Sequence, residues 1–483
     1  MSVHTGVATT DCDVLVIGAG GAGLAAACMA AGAGAKVIVL EKLDQMRGTT
    51  SWSVGSIAAA GTRLQRLAGF TDTAGAFSED IEIAHPQVEG TAHLVRLLAE
   101  GTAAAVEWLE RIGVVFVGPF PEPPNRVPRM HNAVPAGRIY LRMMAKEARR
   151  LGVDLRLGAQ VTGLILQDGN VCGARLQRDG AAHEISARSV VLAAGDYSGS
   201  DAMRAQYLPP AAVAAIPINA HSTGDGHRLA LDAGAQLRGM ESVFGPQLRF
   251  VPAPHTPWIQ RLPEWRWLHQ IGAVILNRAP RAILSRTVSQ LLVSHMSPSE
   301  ALFKAGAVMV DRDGECVTDS ARPAQELAGR PGCTGYLIGD AAMAEKFSAY
   351  PYFISTAPGI AYAYFNDYAR ARPDLVHWAD DAGALATRIS VDPVALARST
   401  SGLKGRLFAL GPCNAALTVA EGGARIDGDC RVLDAGGQPI AGLFAAGGNG
   451  QGGLLLKGHG LHIAWAITSG MVAGKSAAAA SRR

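Results

Sequence analysis

Between residues 13 and 40 the spacing of apolar positions changes twice. Residues 13–18 (DVLVIG) are an unbroken apolar run, rich in β-branched side chains and closed by glycine, which predicts a buried strand. Residues 22–34 are small and apolar and predict a helix, and 36–40 (KVIVL) predict a second strand. Helical spacing returns at 91–112 and at 137–151, with a strand expected at 153–157. Residues 160–166 and 171–178 flank Asp168-Gly169-Asn170 and predict a hairpin. Residues 188–193 form a further apolar strand that ends at Gly195. From 246 to 415 this texture is lost to a proline-rich stretch that carries most of the tryptophans. It resumes with a strand at 443–447, a glycine-rich loop at 448–458 and a helix at 460–475.

At 483 residues the chain is long enough to expect two domains. The interruption therefore reads as an inserted cap at 246–415, dividing a first domain into 1–245 and 416–483. Composition is that of a soluble globular protein, with 48% hydrophobic and 18% charged residues. The 57 glycines suit tight strand–helix turns. A net charge of +3 without a dense basic run argues against a nucleic-acid partner. Seven scattered cysteines, none in CxxC spacing, argue against a disulfide framework, a zinc site or an iron–sulfur cluster, so no metal is expected. They point to a reducing cytoplasm. Residues 1–11 are polar and lack a signal-peptide pattern. The weakly polar run from Val14 to Leu40 contains six glycines between 18 and 34, which argues against a membrane span.

Gly18-Ala19-Gly20-Gly21-Ala22-Gly23 is a GxGxxG turn placed directly after a strand and opening a helix. Gly18 permits the tight turn, Gly20 lets the backbone approach a pyrophosphate, and Gly23 lets the helix pack on the strand. The phosphates then meet the open N–H groups of a helix N-terminus. Glu41 closes the second strand, where a carboxylate accepts hydrogen bonds from ribose hydroxyls and disfavours a 2′-phosphate. The fold class expected is α/β, a Rossmann-like dinucleotide-binding domain with an inserted α+β cap. No second unit for a nicotinamide cofactor follows. Two more glycine- and hydroxyl-rich segments, Gly48–Ser56 and Ala445–Gly460, suit the surroundings of an isoalloxazine, so the cofactor expected is FAD.

These segments carry a resemblance. DVLVIGAGGAGLAAA…VIVLEK, GTTSWSVGS, SVVLAAGDYSGS, TGDGHRLALDAGA and PIAGLFAAGG…SGMVAG follow one another as in the fumarate reductase/succinate dehydrogenase flavoprotein superfamily. Within it, the chain resembles the 3-ketosteroid dehydrogenase branch. The resemblance implies that Gly18, Gly20, Gly23, Glu41, Lys42, Thr49, Thr50 and Ser53 touch FAD, as do Val161, Ala194, Asp225, Gly447 and Gly460. No histidine lies between 44 and 84, where covalently flavinylated relatives attach the ring, so non-covalent FAD is expected. The HHTMGG-like segment of soluble fumarate reductases is matched by Thr418–Gly423, without either histidine. Arg322 falls near the place of their proton-donating arginine, one residue out of register. Lys457 matches a carboxylate-binding arginine. Leu456 stands where ketosteroid dehydrogenases carry a ketone-binding tyrosine, and Gly460 keeps the position of their hydrogen-bonding glycine.

The chemistry expected is FAD-dependent α,β-desaturation of a cyclic ketone (cyclohexanone-type, an oxo-cyclohexanecarboxylate or a 3-ketosteroid), with electrons passed to an external acceptor. The alternative in the same fold is an ene-reductase of the fumarate or urocanate reductase kind; a flavin-binding protein without catalysis is a third reading. Removing the α proton requires positioned donors for the developing enolate. Candidate catalytic groups are Tyr350 and Tyr352, Tyr197, Lys457, His459 and the Gly460 N–H, with His131 a weaker one and Trp52 a wall of the flavin pocket.

Overall fold

The computed structural model of the chain describes residues 10–122, 125–254, 265–278, 295–318, 321–356, 362–456 and 458–482. The strand Cys12–Ile17 runs between two parallel neighbours, Val37–Leu40 and the end of Ala181–Leu192. Val14 stands opposite Val37 on one side and Ser189 on the other. Val14, Leu15 and Val16 are fully buried, as the unbroken apolar run requires of a strand covered on both faces. The sheet continues through Asp154–Arg156 beside Val37–Leu40, and through Pro439–Ala445 beside Ala181–Leu192, both parallel. Arg431–Leu433 closes that edge antiparallel to Pro439–Ala445. The chain is thus a mixed α/β fold around a parallel sheet.

The expected hairpin forms from Gln160–Gln167 and Asn170–Arg178. Its second strand pairs with Ala181–Leu192, Ala174 lying opposite Ile185. That pairing explains why the strand expected at 188–193 begins at Ala181: its first half belongs to the hairpin, its second to the parallel sheet.

Two helices cover one region of the sheet. Gly21–Gly32 packs on the C-terminal helix Leu461–Ala480 through small residues. A Cβ at Gly474 would lie 2.1 Å from the Ala26 carbonyl oxygen, and one at Gly470 would lie 2.3 Å from that of Ala22. The C-terminal helix extends five residues past the expected end at 475, because Ala477 and Ala478 are buried as well.

A second, six-stranded sheet is built on the long strand Leu407–Leu417. Thr334–Asp340, Gln247–Phe250 and Val376–Ala379 pair with it antiparallel, and Val308–Asp311 lies beyond Thr334–Asp340. Ile216–Pro217 joins the same strand in parallel at Ala416 and Leu417. Two short antiparallel pairings stand apart from both sheets, Leu237 with Ala424 and Val243 with Ala420. Among the described residues, no helix is long and apolar enough to cross a membrane.

Overpacking a close backbone contact costs about 1–3 kcal/mol, more where neither side can give. Gly474→Leu should therefore lower the thermal midpoint clearly, while Gly402→Ala, where a Cβ meets nothing within 4 Å, leaves it unchanged. Equal midpoints in differential scanning calorimetry would contradict this packing.

Candidate active site

The glycine turn is locked by its own geometry. Gly18 has φ +105°, and its N–H donates to the Leu40 carbonyl at 2.7 Å. A Cβ on Gly18 would sit 2.4 Å from the Ala193 carbonyl oxygen, and one on Gly23 would sit 1.9 Å from that of Gly18. Only glycine fits either place. Gly20 caps the helix Gly21–Gly32 without a side-chain hydrogen bond, which leaves first-turn N–H groups open to an anion. Opposite it stands Gly48, where a Cβ would be 2.8 Å from Gly20 Cα.

Glu41 ends the second strand, as the sequence led us to expect. It is buried, and its carboxylate accepts hydrogen bonds from the Ala19 N–H (2.9 Å) and the Leu43 N–H (3.1 Å), holding it at the mouth of the turn. Lys42 next to it donates to Asp225 and to Thr223, each at 2.7 Å. Burial alone would raise the Asp225 carboxyl; the Lys42 ammonium outweighs it and holds the pKa below the ordinary value.

One elongated cavity starts here. Its walls include Gly18, Gly20, Glu41, Lys42, Thr49, Thr50, Ser53, Val161, Ala194, Asp225, Gly447 and Gly460. Gly23 lies behind the wall, where it seats the helix. A cradle closed to any Cβ, an open helix N-terminus and a carboxylate at its rim fit the ADP half of FAD. Residues from Thr49–Ser53, Gly447, Gly448, Gln451, Gly458 and Gly460 line the same cavity.

The tyrosines predicted for catalysis are elsewhere. Tyr350 is 73% exposed and rests against Tyr362, and Tyr352 is 36% exposed with the Lys346 ammonium over its ring. Both belong to a surface turn that follows the short helix Ala341–Lys346, and neither reaches the cavity. Tyr197 is fully buried away from it, its hydroxyl donating to the Met240 carbonyl. Burial pushes that phenol far above its ordinary pKa. His131 is a buried structural residue bonded to Thr62 and to the Arg129 carbonyl, its pKa pulled down to about 4 by burial. Arg322 is exposed at the start of the helix Pro323–Ala328. His459 does line the cavity, paired with Glu122, as does Gly460, which has φ +80°. Trp52 is a wall residue beside His295, ring centroids 6.1 Å apart. Leu456 is buried and uses its N–H on Glu421. Lys457 lies outside the described residues.

In their place the cavity receives side chains not anticipated from the sequence. Asp196, the neighbour of Tyr197, faces it. So do Arg249 and His295, Thr418 beyond the long strand of the second sheet, and His462 in the first turn of the C-terminal helix. In Gln247–Phe250, Leu248 and Phe250 are buried on one face, and alternation turns Arg249 to the other. Its guanidinium donates to the His295 carbonyl (3.1 Å) and to Gln247. Burial pulls the Arg249 pKa down to about 10, so it stays a cation at neutral pH, and pulls His295 to about 4, so that imidazole is neutral. Four buried polar atoms on these walls have no hydrogen-bond partner among the described residues: Trp52 Nε1, Arg249 Nε, His295 Nδ1 and Thr418 Oγ1. Such atoms are costly unless something polar meets them.

A glycine cradle on a parallel sheet, running into a polar chamber, defines a dinucleotide-cofactor oxidoreductase. The family model described as FAD binding domain matches residues 13–262 and 293–454, so the chain belongs to that family and is an FAD-dependent oxidoreductase of the fumarate reductase/succinate dehydrogenase flavoprotein superfamily. A probable fumarate reductase of Shewanella frigidimarina is 27% identical over 498 residues, covering 96% of this chain and 74% of the relative. The open conformation of a flavocytochrome c3 fumarate reductase superimposes with a TM-score of 0.75 at 25% identity, over 98% of this chain and 79% of that one. A 3-ketosteroid delta1-dehydrogenase from Sterolibacterium denitrificans shares the fold, with a TM-score of 0.68 at 19% identity over 98% and 100%.

Two outcomes follow from the site. Gly18→Val should yield protein without the flavin absorbance that the unchanged chain retains through gel filtration; full retention would contradict the cradle. Burial raises the Asp196 carboxyl to about 6, with Ser198 and His462 pulling it back. A raised acid favours the folded state below its unfolded pKa and loses that contribution as pH rises through about 6. Asp196→Asn should thus gain stability relative to the unchanged protein between pH 4 and pH 8, by about 3 kcal/mol at most. A pH-independent difference in urea midpoints would refute the assignment.

Proposed function

We propose that this chain reduces a C=C double bond conjugated to a carboxylate or carbonyl, on a substrate whose anionic group is held by Arg249. The observation that carries the reading is the Arg249 cation opening onto the cavity, its Nε unpartnered and no carboxylate pairing with it among the described residues. A guanidinium so placed suits a carboxylate, which it grips with two parallel hydrogen bonds. Thr418 Oγ1, Trp52 Nε1 and the neutral His295 supply further polar contacts around it.

When bound, FAD supplies the two-electron hydride chemistry. The chain's own part is to seat the cofactor on Gly18–Gly23 and Glu41, to fix the substrate by its anionic end, and to polarise its electron-withdrawing group. The absence of histidine from 44–84 supports non-covalent FAD. An external electron partner completes this reading. Seven free thiols accord with a reducing compartment. We read 246–415 as the cap that covers the substrate, inserted between 1–245 and 416–483; Arg249, His295 and Ser297 bring that segment onto the cavity wall, while Ile216–Pro217 and the end of Leu407–Leu417 carry its sheet past these bounds.

Dehydrogenation of a cyclic ketone is the second reading. It is favoured by Gly460, whose left-handed backbone caps the C-terminal helix at the cavity and leaves first-turn N–H groups for a ketone oxygen. That reading lacks a tyrosine base, since Tyr350, Tyr352 and Tyr197 all lie off the cavity.

Arg249→Leu should raise KM for conjugated acids about 30-fold, the equivalent of about 2 kcal/mol for a charge-assisted bond, while FAD content holds. Anaerobic reoxidation of the reduced protein by cinnamate and by its methyl ester measures this. Equal rates for acid and ester, or oxidised protein bleached by cyclohexanones and unreactive to every acid once reduced, would overturn it.

A further inference from the structure

We propose that His462 gives the substrate carbon its proton, and takes it back in the reverse direction, within a relay formed with the buried carboxylates of Glu421 and Asp196. The proposal rests on reading the cavity as a site of hydride chemistry at a C–C bond.

His462 stands two residues past Gly460 and lines the cavity. Its Nε2 is 3.2 Å from Glu421 Oε1, an oxygen that also accepts the Leu456 N–H at 2.7 Å. Glu421 has no solvent exposure, and its Oε2 is buried without a partner among the described residues. A carboxylate buried with half its acceptors unused is costly unless a donor faces it, and the His462 imidazole is the side chain in reach. The Phe244 ring packs 5.4 Å from the imidazole and limits its motion. From another element, Asp196 lines the same cavity, and its carboxylate accepts the Ser198 N–H at 2.6 Å. Glu421 is the acid bonded to this imidazole, and Asp196 is the second buried acid that opens on the cavity it lines.

Among the described residues, the other titratable groups on the cavity walls are bonded elsewhere, fixed in charge or exposed. Glu41, Lys42 and Asp225 sit at the nucleotide end, bonded to backbone or to each other. Arg249 is a permanent cation at neutral pH, His295 stays neutral, and His459 is paired with the half-exposed region at Glu122. His221 and Arg47 are exposed at the rim.

In the reductive direction one C=C π bond breaks and two C–H bonds form. A hydride carries both electrons of the reduced cofactor to one carbon, and the His462 imidazolium N–H bond breaks to protonate the other. The cofactor is oxidised by two electrons and the substrate reduced by two. Neutral His462 then recovers a proton by way of Asp196 from solvent, and Glu421 holds the imidazole at Nε2.

The test has two arms on the FAD-loaded chain. In the first, the His462 resonance of isotopically labelled protein, assigned with His462→Gln, is titrated in the unchanged chain, in Glu421→Gln and in Asp196→Asn. Removing either negative charge should lower the His462 midpoint by roughly half a pH unit or more. One midpoint common to all three proteins would overturn the relay, and Asp196→Asn alone decides the point should Glu421→Gln fail to fold. In the second arm, dithionite-reduced protein is mixed with fumarate, urocanate or cinnamate. Reoxidation should slow as pH rises through the His462 midpoint, and His462→Gln should lose about 100-fold or more in rate with FAD retained. A His462→Gln protein with unchanged rate and pH profile would overturn the proposal. If no acid reoxidises the unchanged protein, the ene-reduction reading falls, and the titration still decides the relay.

Discussion

Backbone meets backbone at Gly18 with no room for a side chain, and the rest of the molecule is arranged around that approach. Gly18 presses on Ala193 and Gly23 presses on Gly18, so the first strand, the strand Ala181–Leu192 and the helix Gly21–Gly32 converge on one point. Because the helix begins there without a side-chain cap, its first-turn N–H groups are left open to an anion. The C-terminal helix obeys the same rule at Gly470 and Gly474, and this close packing brings Gly460 and His462 to the far end of the same cavity. Small residues thus fix the cofactor seat and the distance from it to the chemistry.

This part of the structure was legible in the sequence because its physics is local. Tight turns, close helix packing and buried parallel strands each leave a mark within a few residues: glycine at 18, 20 and 23, β-branched runs at 13–18 and 36–40, an acid at 41. The chamber beyond the cofactor was not legible, since its walls come from segments far apart in the chain. Arg249 had a weak local signal, alternation in Gln247–Phe250, whereas His295 and Thr418 had none. The segment GDYS follows the strand Ala181–Leu192, but the sequence could not say which of its adjacent residues turns inward. In the turn after that strand Asp196 lines the cavity while Tyr197 packs in the second core. The tyrosines at 350 and 352 were attractive for their chemistry; their turn runs over the surface.

The chamber also departs from both templates that the chain resembles. Where soluble fumarate reductases carry paired histidines, this chain has Thr418–Gly423 with a buried glutamate, and the histidine that meets that glutamate comes from the C-terminal helix. Where ketosteroid dehydrogenases carry a ketone-binding tyrosine, it has the buried Leu456. Arg249, on a strand of the second sheet, adds a buried guanidinium to the cavity wall. The glycine cradle thus stands beside a chamber lined by side chains from other elements, and function on such a fold is decided by those side chains.

A crystal structure of the chain with FAD bound is the most direct measurement. It should show the adenosine ribose on Glu41, the pyrophosphate on the Gly18–Gly23 turn, and the isoalloxazine lying between Thr49–Ser53 and Gly460, with one face open toward Arg249 and His462. A flavin ring whose reactive face is walled off from Arg249, or a nucleotide seated away from the glycine turn, would contradict it.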